Sequence, residues 1–153
     1  MPIDNDELRD QYQSRGFGTC GPAIIAVLFN ETVQKVIDNW YGKYEGYCTF
    51  HELKRELERY DWNSTMVKSN NKRAFMISKG VDKAICLIGW KRKYSKWDIP
   101  AKNTHFILLQ NTDKSVRIFC NSVGWVNSEH PRMKDHLKKG KVQAYLLHKH
   151  DIE

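Results

Sequence analysis

The sequence predicts a single α+β domain, in which a helical first half is followed by a strand-rich second half. As far as Leu57 the apolar residues follow helical spacing, whereas beyond Gly80 they form short runs separated by polar, turn-rich stretches. The 153 residues contain no Gly/Ser-rich or Pro-rich linker and no internal repeat. We therefore treat residues 1–153 as one domain, which is long enough to bury its own core.

Three helices are predicted in the first half. Residues 19–22 (TCGP) form a helix start, because proline is favoured in a first turn, and the following AIIAVLF is apolar all round, as in a core helix. Between Val33 and Tyr41 the apolar residues recur at amphipathic spacing, and this second helix is expected to end near Gly42. Thr49 and Glu52 have the spacing of a capping box and open the third helix.

The second half is predicted to form an antiparallel sheet. A further helix is expected between Ser128 and Gly140. The predicted strands are four short apolar runs, Ala84–Trp90, His105–Gln110, Val116–Cys120 and Val142–Leu147.

Composition and charge limit the function classes. With 41% apolar residues the chain is globular, and its 25 basic against 18 acidic residues give a net charge of +7. This charge concerns partners rather than the fold. Basic clusters with aromatic neighbours at residues 91–97, and at residues 138–141, are of the kind that contacts phosphates and bases, but a solvated surface is the simpler interpretation. We therefore do not expect a nucleic-acid partner.

The sequence also predicts a cytoplasmic protein without metal or cofactor. Its first residues are acidic and polar, unlike a secretion signal, and its longest apolar run, Pro22–Phe29, is too short to span a bilayer. No pair of cysteines or histidines has the spacing of a zinc finger. The four cysteines, Cys20, Cys48, Cys86 and Cys120, include no CxxC pair, and the last two lie in strand-like runs, as buried free thiols do.

Cys20 is the candidate nucleophile. A thiol in the first turn of a helix feels the positive end of the helix dipole, which favours the thiolate and supplies a backbone N–H for a developing oxyanion. The alternative is that Cys20 is a small core residue beside an apolar run. Its position by itself does not decide between them.

A cysteine nucleophile needs a base and a group that orients the base. His105 opens one predicted strand, and Asn121 ends the next strand, sixteen residues later. Neighbouring antiparallel strands would bring these residues together, so that the carboxamide oxygen of Asn121 holds one imidazole nitrogen while the other faces the thiol. The alternative for Asn121 is an ordinary turn residue.

Three short motifs resemble those of papain-like cysteine peptidases. They are residues 18–23 (GTCGPA), which precede the apolar helix, residues 105–107 (HFI), and residues 121–125 (NSVGW). The first two are most similar to the branch that trims double-glycine leaders from bacteriocins, and to its stand-alone relatives, although that branch usually has Asp in place of Asn121. The resemblance implies a papain-like fold, with the nucleophile helix of the first half packed against the antiparallel sheet of the second.

The resemblance also implies a catalytic set. Cys20 attacks, His105 activates it, and Asn121 orients the imidazole. The family's oxyanion glutamine lies six residues before the cysteine, where this chain has Ser14, so Gln13, seven residues before, is the candidate, with Gln11 as the alternative.

The predicted activity is cleavage of a peptide or isopeptide bond through an acyl-enzyme. The predicted partner is a protein or peptide substrate, and acidic residues on it would be attracted by the basic segment 91–103, which directly precedes His105. Two alternatives stay open. One is a cysteine-dependent acyltransferase, and the other is a catalytically inactive papain-like module that binds a protein or a nucleic acid.

Overall fold

A six-stranded antiparallel sheet lies at the centre of the described part of the chain, and helices cover both of its faces. The structure is a computed structural model that describes residues 19–44, 46, 48–68, 75, 77, 81–90, 104–112 and 115–148. The strand order is β1-β6-β2-β3-β4-β5, and every neighbouring pair is antiparallel. The mixed helix-and-sheet arrangement agrees with the α+β class. The strands are β1 (Ser64–Lys68), β2 (Lys83–Trp90), β3 (Thr104–Asn111), β4 (Val116–Cys120), β5 (Gly124–Asn127) and β6 (Gly140–His148).

Local signals in the sequence explain where the helices begin and end. Helix α1 (Cys20–Phe29) is terminated by its C-cap residue, Asn30, which adopts the left-handed conformation with φ 54° and ψ 46°. The predicted capping box opens α3, because Thr49 and Glu52 each accept a hydrogen bond from the other's backbone N–H. Helix α4 begins with Pro131 after His130, whose Nδ1 accepts from the N–H of the second helical residue. The helices are α1 (Cys20–Phe29), α2 (Val33–Asp38), α3 (Phe50–Glu58) and α4 (Pro131–Lys139).

Each face of the sheet has its own apolar cluster, and side chains alternate between the two faces along a strand. On β3, Phe106 and Leu108 pack in the cluster that contains the buried residues of α1, α2 and α3. Their neighbours Ile107 and Leu109 pack in the opposite cluster, which contains Met133 of α4. Because both faces are covered, the central strands are nearly continuous apolar runs.

The predicted elements are found with two differences. Helix α2 ends at Asp38 rather than near Gly42, and the apolar side chain of Trp40 is buried beyond the end of the helix. Strands β1 and β5 were not predicted. Both are short edge strands of five and four residues, without a fully buried face, so their apolar pattern is weak.

Within the described residues there is no helix with both the length and the apolar character required to cross a membrane.

Candidate active site

Cys20 lies at the first residue of α1, where the helix start meets the sheet at β3. It is partly exposed, whereas the following residues from Gly21 to Ala26 are buried. The main chain of Phe106, the residue after His105, donates a hydrogen bond to the Cys20 thiol, and so does that of Gly21. The sulfur of Cys20 therefore lies beside the backbone of the strand that carries His105.

Gly21 allows this close approach. A Cβ atom at position 21 would lie 2.8 Å from Sγ of Cys48 and 3.7 Å from Cδ2 of Phe106. A separation of 2.8 Å is shorter than a van der Waals contact, so a side chain here would push α1 away from its neighbours. The glycine that follows the nucleophile candidate is therefore needed for packing.

Asn121 follows directly after β4, and its side chain reaches the start of α1. Its Nδ2 donates to Oγ1 of Thr19 over 3.2 Å, and both residues are buried. Thr19 is the N-cap residue of α1 and directly precedes Cys20. The structure thus brings Asn121 to the nucleophile end of the helix, through a contact with Thr19 that the sequence did not predict.

His105 presents its ring to a second thiol, that of Cys120. Nε2 of His105 lies 3.3 Å from Sγ of Cys120, and the His105 and His136 rings have centroids 4.7 Å apart. The alternation along β3 explains this, because His105 lies two residues before Ile107 and so belongs to the face covered by α4. Cys120 lies on the same face, since extension of the β3–β4 register places it opposite Ile107.

Two further groups surround the Cys120 thiol. Ser122 Oγ lies 3.2 Å from the sulfur, and Nε2 of His136 lies 3.7 Å from it. Cys120 has no exposed surface, and His136 is 7% exposed. His105, Cys120 and His136 therefore form a largely buried cluster between α4 and the sheet, where β3 begins and β4 ends.

Burial keeps both members of the expected catalytic pair uncharged. Desolvation raises the pKa of Cys20 to about 11, although hydrogen bonds from the main chain of Phe106 and Gly21 oppose this rise. Desolvation is the main reason that the pKa of His105 is lowered to about 3. The charges of His136 and Arg132 lower it further. The direction of the Cys20 pKa shift runs against the thiolate expected there, because desolvation favours the neutral thiol. Near pH 7 the pair is a neutral thiol and a neutral imidazole.

The sequence indicated Cys20, His105 and Asn121 but not Cys120 or His136. Cys120 was predicted to be a buried free thiol, and the structure confirms this, but not that it contacts His105. Strand alternation contains part of that information, since it places His105 and Cys120 on one face once the register is known. Nothing in the sequence places His136 there, because its position depends on how α4 packs against the sheet.

Several predicted features lie outside the described residues. These are Gln13 and Gln11, the two candidates for the oxyanion hole, and the basic segment 91–103.

No protein-family model matches the chain, and no curated protein matches it at a significant level. Its function is therefore inferred from the site itself.

Proposed function

We propose that the protein is a papain-like cysteine hydrolase that cleaves a peptide or isopeptide bond, with Cys20 as nucleophile and His105 as base. One observation carries the proposal. The thiol of Cys20, at the first turn of a core helix, accepts a hydrogen bond from the main chain of Phe106, adjacent to His105. Covalent acyl transfer requires a nucleophile within hydrogen-bond reach of its base, and this contact supports the proposal because it places the Cys20 thiol beside the strand that carries the candidate imidazole.

The exposure of the two thiols favours Cys20 over Cys120 as the nucleophile. Cys120 contacts the ring of His105, and Cys20 contacts the main chain of Phe106, the next residue. Cys120 has no surface exposed to solvent, whereas Cys20 is partly exposed. A carbonyl group of a polypeptide substrate reaches only an exposed sulfur. The Cys120 sulfur serves instead as a partner of the imidazole.

The proposed mechanism requires one tautomer of His105. With a proton on Nε2, the ring donates to Sγ of Cys120. The lone pair of Nδ1 must then reach the proton of Cys20, although His105 packs on the face of the sheet opposite to α1. As the sulfur attacks the carbonyl carbon, this proton moves to Nδ1. The imidazolium then returns it to the leaving amine, so that an acyl-enzyme and a free amine remain.

The start of α1 contributes to the oxyanion hole in this proposal. The first N–H groups of a helix have no partner inside the helix, and the N–H of Cys20 is one of them. We assign the second donor to the carboxamide of Gln13, as the family resemblance implies. Water resolves the acyl-enzyme in a hydrolase, whereas an amine acceptor at the same step would make the protein an acyltransferase.

A second candidate function is a catalytically inactive module that binds a protein or a nucleic acid. The raised pKa of Cys20 favours it, since a thiol that stays protonated is a weak nucleophile without a base. Selective alkylation distinguishes the two. Because exposure alone favours Cys20 over the three buried thiols, the test compares the rate of iodoacetamide labelling at Cys20 in the wild type and in His105→Ala. The substitution slows labelling in a hydrolase and leaves it unchanged in an inactive module.

The decisive experiment for the hydrolase measures turnover of a peptide and isopeptide library by the wild type and by Cys20→Ala. We expect Cys20→Ala to retain less than about a thousandth of the activity, in line with the losses that follow removal of a triad nucleophile. The matched control is Cys86→Ala, which removes a fully buried thiol from the apolar cluster on the opposite face of the sheet and should change activity only through stability. Full turnover by folded Cys20→Ala would rule out covalent catalysis at this position.

A further inference from the structure

The buried cluster of His105, Cys120 and His136 has the composition and spacing of a metal site. Each residue offers one ligand atom, and the three atoms lie within 4.8 Å of one another. They come from three different elements: β3, β4 and α4. Such a set has no sequence spacing to reveal it, which explains why the sequence predicted no metal.

The separations agree with one ion at the centre of the cluster. A tetrahedral zinc ion, with Zn–S of about 2.3 Å and Zn–N of about 2.0–2.1 Å, holds sulfur and nitrogen ligands about 3.5 Å apart. The observed separations from Sγ of Cys120 are 3.3 Å to Nε2 of His105 and 3.7 Å to Nε2 of His136. The third separation, between the two ring nitrogens, lies within 4.8 Å, against about 3.4 Å in a tetrahedral zinc site, so the imidazole rings must move towards each other to surround an ion.

The chemistry of the three groups also suits a cation. Two neutral imidazoles and one thiol are donors that zinc accepts well, and the thiol binds as thiolate. Without an ion, the sulfur of Cys120 is surrounded by two ring nitrogens and one hydroxyl group. Its single S–H group can donate to only one of these three neighbours. The charge of Arg132 acts on both His105 and Cys120 and opposes a cation, but the thiolate formed on binding cancels one positive charge.

We propose that His105, Cys120 and His136 bind one Zn²⁺ ion, through Nε2, Sγ and Nε2 respectively, and leave the fourth position to water. Binding releases one proton, that of the Cys120 thiol, to solvent. The ring proton of His105 then resides on Nδ1, because the metal occupies the lone pair of Nε2.

This site has a consequence for catalysis, which rests on the proposed function, whereas metal binding itself does not. A neutral imidazole has one lone pair, and an ion on Nε2 of His105 leaves Nδ1 protonated. His105 is then unable to accept the proton of Cys20. Zinc is therefore expected to switch the hydrolase off, and a chelator to restore its activity.

The experiment titrates metal-free full-length protein with Co²⁺, a coloured substitute for Zn²⁺, and then displaces it with Zn²⁺ against a chromophoric chelator. We expect one ion per chain, with a thiolate-to-cobalt charge-transfer band and the intense visible bands of tetrahedral cobalt. Cys120→Ser and His136→Gln should each weaken Zn²⁺ binding by more than about a hundredfold, because loss of even an outer-shell partner costs about 10–100-fold. The matched controls, Cys86→Ala and His51→Ala, should bind as the wild type does.

Cys20→Ala separates this site from the catalytic proposal. It should bind Co²⁺ with the same spectrum and affinity as the wild type, whether or not the protein is a hydrolase. A wild-type protein without a thiolate band, or a band that is lost in Cys20→Ala and kept in Cys120→Ser, would overturn the proposed site. If the ligand variants fail to fold, the spectra of the wild type and Cys20→Ala still decide the outcome.

Discussion

At the scale of single residues, the contact between Asn121 and Thr19 links the end of β4 to the start of α1. Asn121 Nδ2 donates to Thr19 Oγ1 in a buried setting, directly before Cys20. This contact holds the start of α1 in place. The family resemblance implies a second role, in which the Asn121 carboxamide oxygen orients His105 by sharing with Sγ of Cys120 the proton on Nε2.

Two variants separate these roles of Asn121. Thr19→Val and Asn121→Ala each remove the hydrogen bond, and each should destabilise the protein by about 1–3 kcal/mol, since a buried polar partner is left unsatisfied. Asn121→Ala alone also removes the group that orients the imidazole, so its kcat should fall at least about tenfold below that of Thr19→Val. Urea unfolding and steady-state kinetics measure the two effects. Equal kcat values in the two variants would limit Asn121 to the structural role.

The neutral state of His105 predicts an unusual pH profile for metal-free protein. The imidazole accepts a proton only when it is uncharged, and its pKa is lowered to about 3, so the acidic limb of kcat/KM should lie well below the ordinary histidine pKa. Asn121→Asp places a negative charge nearby, which raises the pKa of the imidazole. Its acidic limb should therefore move to higher pH, while activity near neutral pH is largely retained. An unchanged limb would show that residue 121 does not face His105.

At the scale of the elements, the helix starts depend on short-range hydrogen bonds that the sequence specifies. Thr49 and Glu52 form a reciprocal capping box at α3, with separations of 2.8 and 3.1 Å. Thr32 caps α2 with a single bond, of 3.1 Å, from the N–H of Lys35. Both threonines are exposed, so their caps are directly comparable.

Loss of the capping box should cost more than loss of the single cap. Thr49→Ala should lower the free energy of unfolding by about 1–2 kcal/mol, and Thr32→Ala by about 0.5–1 kcal/mol, both within the range for N-cap substitutions. Thr49→Ser preserves the acceptor and is the control for side-chain size. Chemical denaturation provides the measurement, and a larger loss for Thr32→Ala than for Thr49→Ala would contradict the ranking.

At the scale of the whole molecule, buried thiols make the free energy of unfolding depend on pH in the alkaline range. Cys86 has no exposed surface, and burial raises the pKa of its thiol far above the ordinary value for cysteine. As pH rises through about 9, the thiol ionises in the unfolded chain but not in the folded protein. Its contribution to stability is therefore complete below that pH and is lost progressively above it.

Cys86→Ala should reduce this alkaline loss. Between about pH 9 and pH 11 the free energy of unfolding of the wild type should fall more steeply, by about 1.4 kcal/mol per pH unit, than that of Cys86→Ala. Denaturant unfolding at several pH values measures both slopes, and the other titrating groups are common to the two proteins. Parallel slopes would show that Cys86 ionises equally in both states.

The sequence by itself determined the α+β class, the capped start of α3 and the core helix that begins at Cys20. It also determined the strand that contains His105 and the strands before and after it. These features depend on periodicity, capping and turn residues, which act over a few neighbouring positions. The same local information brought Cys20, His105 and Asn121 forward as candidates.

Only the tertiary structure decided which groups these candidates meet. Strand alternation and register turned His105 towards Cys120, packing of α4 added His136, and the sheet brought Asn121 to Thr19. Desolvation at the packed start of α1 raises the pKa of the Cys20 thiol, in the direction opposite to the effect expected from the helix dipole. Contacts between distant segments, and the desolvation that they cause, depend on the packed arrangement of the whole chain, and no short stretch of sequence specifies them.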